Sequence, residues 1–98
     1  GGMGVAPSCN LNPDNPDMPS MFEPTHGSAP DIAGQNIANP TALMLGAAMM
    51  LEYLERNEDA ERMRKAIRFV VGEGKVTTPD LGGKASTSEF TDEVIRNL

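Results

Sequence analysis

The sequence predicts a mixed α/β chain, two short strands followed by three helices, incomplete as a stand-alone fold. Three observations carry this. Seven of the eight prolines (Pro7, Pro13, Pro16, Pro19, Pro24, Pro30, Pro40) and five of the ten glycines fall in the first 40 positions, which confines that stretch to strands, turns and loop. From Asn39 onward apolar residues recur at helical spacing in three runs separated by turn signals. The first of these runs is apolar on almost every face, and such a helix needs more partners than two shorter helices and two weak strands supply.

The elements follow in order. Candidate strands at Met3–Val5 and Ser20–Glu23 flank Asn10–Pro19, a run of Asn, Asp and Pro that favours turns. The second strand feeds a loop from Pro24 to Asn39, longer than the roughly 12–15 residues beyond which structureless loops are usually functional or linkers. Asn39-Pro40-Thr41 reads as an N-cap followed by proline at the first helical position, where its missing N–H costs nothing. The helix so started runs through Leu54, and Gly46, Ala47 and Ala48 leave room for a neighbouring backbone. A second helix, Glu58 to Val71, places Met63, Ile67, Val70 and Val71 on one side and the pairs Glu58–Arg62 and Glu61–Lys65 on the other, and Gly72 and Gly74 end it. Thr77–Gly83 reads as a turn, after which Ser86 or Thr87 caps a last helix carrying Phe90, Val94, Ile95 and Leu98. The chain opens on Gly1 in what reads as mid-loop, so the expectation is a segment of a larger enzyme, with tight oligomerisation as the alternative way to complete the core.

Composition excludes several classes of function. With 8 Lys+Arg against 14 Asp+Glu the net charge is −6, which disfavours nucleic acid and acidic membrane surfaces as partners. No apolar run approaches the roughly 18–20 residues that span a bilayer, and no signal pattern opens the chain, so a cytoplasmic protein is expected. A lone cysteine, Cys9, excludes an internal disulfide, and a lone histidine, His26, excludes the usual paired-His and CxxC zinc spacings, so neither a covalent staple nor a structural metal is expected.

The chemistry concentrates in Phe22–Pro40, where one imidazole, two carboxylates, two glycines and aliphatic side chains precede a helix. Such a loop suits a nucleotide: glycines let backbone approach a ligand, an imidazole and an aliphatic side chain can sandwich a flat base, and the Asp31 carboxylate can accept both hydrogen bonds of a ribose diol. On the residues alone the plainer reading stays open, in which His26 is a loop residue bonded to backbone. Gly2-Met3-Gly4 fails the G-x-G-x-x-G pattern and no Walker loop occurs.

The run Glu23-Pro-Thr-His-Gly-Ser-Ala-Pro-Asp-Ile-Ala-Gly34, followed by Ile37-Ala-Asn-Pro40, resembles the adenosine-binding loop of the β-decarboxylating dehydrogenases that act on isopropylmalate, isocitrate, homoisocitrate, tartrate and D-malate. Gly2–Ser8, Met49-Met-Leu51, Thr78-Pro-Asp-Leu-Gly-Gly83 and the last helix are similar to the same family, so the likeness spans the chain. It implies the C-terminal part of the large domain of an isopropylmalate-dehydrogenase-like fold, with residues 1–39 supplying strands and cofactor loop and residues 40–98 the helices. Cys9, where a small Ala is usual, and Thr25, where Val is frequent, depart from the pattern and read as packing changes.

The resemblance also implies roles. Glu23 lies near the nicotinamide end of the cofactor, His26 packs on adenine, and backbone at Gly27, Ser28 and Ala29 runs along the cofactor. Asp31 holds the ribose hydroxyls, Ile32 packs on the adenine side, and Asn39 meets the adenine edge. Family members that use NADP carry Lys-Tyr at Asp31-Ile32, and a Tyr and an Arg at the places matching Pro79 and Gly83, so the cofactor implied here is NAD. The implied reaction is hydride transfer from a metal-bound small-molecule 2-hydroxy acid and loss of its β-carboxylate, with the Mg²⁺ or Mn²⁺ ligands and catalytic residues in an upstream portion absent from this chain. A homodimer is expected. Asn10-Leu-Asn-Pro13 and Pro19–Pro24 look closer to tartrate and D-malate dehydrogenases than to isopropylmalate dehydrogenases. A non-catalytic nucleotide-binding or assembly module derived from the family is the alternative.

Overall fold

A computed structural model describes residues 7–11, 20–24 and 29–98. They order as β1 (Pro7–Asn10), β2 (Met21–Pro24), α1 (Thr41–Tyr53), α2 (Asn57–Glu73), a 3-10 turn (Pro79–Leu81) and α3 (Thr87–Arg96). β1 and β2 pair antiparallel in the register Pro7–Pro24, Ser8–Glu23, Cys9–Phe22 and Asn10–Met21. The expected first strand at Met3–Val5 lies outside the described residues. The observed one includes Asn10, expected to open the turn; Pro7, with no N–H to donate, stands at the strand's first position, where it breaks no ladder.

The hydrophobic centre lies between α2 and α3. Ala66, Ile67, Val70, Phe90 and Val94 are buried together, and Met44, Leu45 and Met63 pack against them. The contribution of α1 is smaller than expected of a helix apolar all round. Ala42, Gly46 and Ala48 are buried, but Leu43, Met50, Tyr53 and Leu54 are exposed, because α2 and the β1–β2 ribbon cover only part of its circumference. The small-residue expectation holds: a Cβ on Gly46 would stand 3.6 Å from the backbone nitrogen of Glu23, so β2 runs directly over this helix.

Helix ends follow local chemistry. Pro40 precedes the first assigned residue of α1 and its carbonyl accepts from Met44 N, one position from the expected arrangement, while the capping side chain is still Asn39, whose Oδ1 accepts from Thr41 N at 2.9 Å. α1 closes with Arg56 N bonded to Leu51 O and Glu55 N to Glu52 O, a Schellman pattern with Glu55 at φ 63° where glycine is the usual residue. α2 runs through Gly72 and stops at Gly74, which takes the left-handed conformation. α3 begins with a full capping box: Ser86 Oγ accepts from Glu89 N at 3.0 Å and Glu89 Oε1 from Ser86 N at 2.9 Å.

The expected pairs Glu58–Arg62 and Glu61–Lys65 do not form. Asp59 instead lies beside both Arg56 and Arg62, and Glu61 reaches Arg68. Arg64 crosses to Glu52 on α1 at 2.6 Å, a contact that holds the Glu52 carboxyl below and the Arg64 guanidinium above their usual ranges. No helix among the described residues is long and apolar enough to cross a membrane.

Candidate functional site

The described part of the cofactor-like loop, residues 29–40, is shaped by backbone conformations that few side chains favour. Ala29 has φ 48°, Gly34 φ 80° and Asn36 φ 57°. Glycine takes this region freely and asparagine tolerates it, whereas alanine there is strained by roughly 1 kcal/mol. Between Ala29 and Gly34 the chain makes a tight turn in which Ile32 N donates to Ala29 O at 3.0 Å and Gln35 N to Ile32 O at 3.2 Å. The Gln35 side chain closes it by donating from Nε2 to Asp31 O at 3.0 Å. The Asp31 carboxylate is left exposed at the turn, with Ile32 half-buried beside it.

Glu23 sits on β2 with an exposed side chain, opposite Ser8 and with its backbone on Gly46. His26, Gly27 and Ser28 lie outside the described residues. Of the sequence-expected site residues, the structure brings Ala29, Asp31 and Ile32 into one turn and sets Asn39 at the loop's far end. Asn39 is buried, and its side-chain amide is engaged at both ends: Oδ1 accepts from Thr41 N at 2.9 Å and Thr41 Oγ1 at 2.5 Å, and Nδ2 donates to Asp80 at 3.0 Å. Its side chain is therefore first a structural tie, with one N–H of Nδ2 beyond the bond to Asp80.

Two braces reach this loop from the C-terminal third, and sequence reasoning did not find them. One is the Asn39–Asp80 bond, between residues 41 positions apart. The other comes from the start of α3: Thr87 N donates to Asn36 O at 2.8 Å, Thr87 Oγ1 to Ala38 O at 2.5 Å, and Ser88 Oγ to Asn36 Oδ1 at 3.1 Å. The Thr78-x-Asp80 and Thr87-Ser88 pairs are visible in the sequence, but only the fold brings them to the loop. Among the described residues no group of three or more His, Cys, Asp or Glu could hold a metal ion.

The structure thus places an exposed carboxylate and a half-buried aliphatic side chain side by side on one turn, and braces the segment that follows it, Asn36 to Asn39, from two places. The family model described as isocitrate/isopropylmalate dehydrogenase matches residues 1–94. The chain belongs to this family of dehydrogenases. It is 54% identical over 98 residues to isocitrate/homoisocitrate dehydrogenase of Thermus thermophilus, covering all of this chain and 28% of that protein. It is 50% identical to the mitochondrial NAD isocitrate dehydrogenase catalytic subunit 5 of Arabidopsis thaliana and 49% identical to 3-isopropylmalate dehydrogenase of Methanothermobacter thermautotrophicus, covering all of this chain and 25% and 28% of theirs. Among solved structures, the TT0538 protein of Thermus thermophilus superposes with a TM-score of 0.88 at 42% identity, over 98% of this chain and 19% of that one. The apo β-decarboxylating dehydrogenase of Thermococcus kodakarensis gives 0.84 at 42% identity, over 97% and 26%. The chain thus spans about a quarter of the length of these relatives, and its three helices and short sheet form part of their isopropylmalate-dehydrogenase-like fold.

Proposed function

We propose that this chain carries the adenosine-binding part of an NAD-dependent, metal-requiring dehydrogenase that oxidises and decarboxylates a 2-hydroxy acid. The observation that carries the reading is the exposed Asp31 carboxylate on a turn fixed by Ala29, Gly34 and Gln35, with half-buried Ile32 next to it. One carboxylate can accept from both hydroxyls of a ribose diol, and an aliphatic side chain offers a flat apolar surface to a purine. In this reading His26 covers the other face of adenine, the backbone at Gly27, Ser28 and Ala29 follows the cofactor, Asn39 meets the adenine edge, and Glu23 lies toward the nicotinamide. NAD, when bound, accepts the hydride. Residues 1–39 supply these contacts and residues 40–98 the helices that support them.

NAD is favoured over NADP on charge. A 2′-phosphate would stand beside the Asp31 carboxylate with no arginine or lysine in the described part of the loop, and a like-charge approach plus a lost bidentate contact is worth on the order of several kcal/mol. Four of the similar isocitrate dehydrogenases are named as NAD enzymes. The Mg²⁺ or Mn²⁺ ligands and the groups that move protons belong, in this proposal, to the longer portion that the relatives have and this chain does not span. The substrate is a small 2-hydroxy acid of the isocitrate, isopropylmalate, tartrate or D-malate kind. A homodimer and a cytoplasmic location are part of the same proposal; the second rests on composition, since the relatives include mitochondrial subunits.

Calorimetric titration of the full-length protein with NAD and NADP tests this. NAD binding that weakens at least about tenfold in Asp31→Ala, with NADP weaker still, supports it. Equal affinity for the two cofactors, or indifference to Asp31, refutes it, and NAD binding with no turnover of any of these acids leaves the non-catalytic module as the better reading.

A further inference from the structure

We propose that Asp80 is a positioning residue for the adenosine half of the cofactor site: its carboxylate fixes the Asn39 amide, and through it the end of the loop that carries Asp31 and Ile32. This rests on the NAD reading and deepens it. Asp80 stands in the 3-10 turn Pro79–Leu81, and its two oxygens have different partners: Oδ2 accepts from Asn39 Nδ2 at 3.0 Å and Oδ1 from Thr78 Oγ1 at 2.5 Å. Thr78 is fully buried, so the turn end of this link is anchored.

At the other end Asn39 is 6% exposed, and its Oδ1 takes two donors from Thr41. A primary amide has one accepting and one donating end, and these surroundings admit one orientation: flipped, it would set oxygen against carboxylate and an NH₂ group against the Thr41 N–H. The carboxylate of Asp80 therefore selects the orientation that keeps the amide oxygen on the first turn of α1. Without it the Nδ2 group loses its acceptor in a site with little access for water, and the flipped amide becomes accessible. Pro40 follows Asn39 directly and the turn at Asp31 lies eight positions before it, so a change here reaches the adenosine contacts along the chain. None of these bonds involves the nicotinamide side of the loop at Glu23. The effect falls on cofactor affinity rather than on hydride transfer.

The test uses the full-length protein with Asp80→Ala, Asp80→Asn and, as reference, Asp31→Ala. Three readouts are taken: calorimetric affinity for ADP-ribose and NAD, the split between KM for NAD and kcat, and hydrogen exchange of the Thr41 amide in the absence of cofactor. Asp80→Ala is expected to weaken ADP-ribose and NAD about tenfold, raise KM by a similar factor with kcat within about twofold, and speed Thr41 exchange about tenfold. Asp80→Asn, whose oxygen still accepts from Asn39 and whose nitrogen can donate to the Thr78 hydroxyl, should recover most of this. Two results overturn the proposal. One is unchanged ADP-ribose affinity in Asp80→Ala while Asp31→Ala weakens it. The other is a loss of affinity and kcat together in both Asp80 variants with a lowered Tm, the mark of general support of the fold. Should Asp31→Ala leave ADP-ribose binding untouched, the NAD reading itself falls, and Thr41 exchange still decides whether Asp80 holds Asn39.

Discussion

Gly83 lies so close to Thr77 that a Cβ added to it would overlap the Thr77 carbonyl oxygen and hydroxyl. The approach is fixed from both sides, since Gly83 N donates to Thr78 O at 3.1 Å and Ala85 N to Thr77 O at 2.9 Å, and Thr77 is buried. Gly83→Ala should therefore destabilise by about 1–3 kcal/mol, measured by urea unfolding, because the backbone must move to admit a methyl group. If the proposed NAD reading holds, the same crowding bears on cofactor choice. An arginine at this place, as the resemblance implies for NADP-using members, needs a differently run backbone, so Gly83→Arg alone should give no NADP use in steady-state assays.

Under the proposed NAD reading, Asp31→Lys combined with Ile32→Tyr should do more, because at the exposed position 31 it replaces a charge that would repel a 2′-phosphate with one that would attract it. The ratio of kcat/KM for NADP to that for NAD is expected to rise at least about a hundredfold in the full-length enzyme. A ratio that stays put would show that the ribose lies elsewhere.

Phe90 is the largest fully buried side chain among the described residues and packs in the α2–α3 contact with Ile67, Val70 and Val94. Phe90→Ala removes a ring from a small core and should cost about 3–5 kcal/mol. In thermal unfolding the variant is expected to lose its cooperative transition, and Phe90→Leu to keep it at lower Tm.

The capping box carries a pH dependence of definite sign. Glu89 is held below its ordinary value of 4.5, first by the backbone N–H of Ser86 and second by the Ser86 side chain. A carboxylate whose folded pKa is lowered stabilises fully above its unfolded pKa and loses that stabilisation as pH falls through the folded one. Glu89→Gln should thus lower Tm at pH 7, with the difference from the parent protein shrinking as pH falls from the ordinary carboxylate range through the lowered folded value and closing only below it, where both side chains are neutral.

The helices were legible in the sequence for reasons the structure repeats. Ser86-x-x-Glu89 specifies its own helix start, and Ile67, Val70, Phe90 and Val94 recur at the spacing of one buried face. The strands were less legible, because β1 and β2 are four residues each and owe their pairing to each other rather than to alternation within either. Charge pairing misled for a related reason: Glu52 and Arg64 meet across two helices, a contact that no local spacing announces. Within the candidate site the family resemblance singled out the loop from Glu23 to Asn39, and of its expected contacts the structure describes Glu23, Ala29, Asp31, Ile32 and Asn39. The braces from Asp80, Thr87 and Ser88 were not legible, since each is a hydrogen bond closed only after α2 and α3 have turned the chain back on itself.

The outward side of α1, where Leu43, Met50 and Leu54 are each 40–59% exposed, makes this chain's colloidal behaviour a matter of charge. A polypeptide of these 98 residues alone would depend at neutral pH on its six excess negative charges to keep copies apart despite that greasy stripe. Near pH 4.6 the repulsion vanishes while the stripe remains, so the solubility minimum should be sharp and strongly dependent on concentration, and a Leu43→Lys and Leu54→Glu pair, which leaves the net charge unchanged, should blunt it.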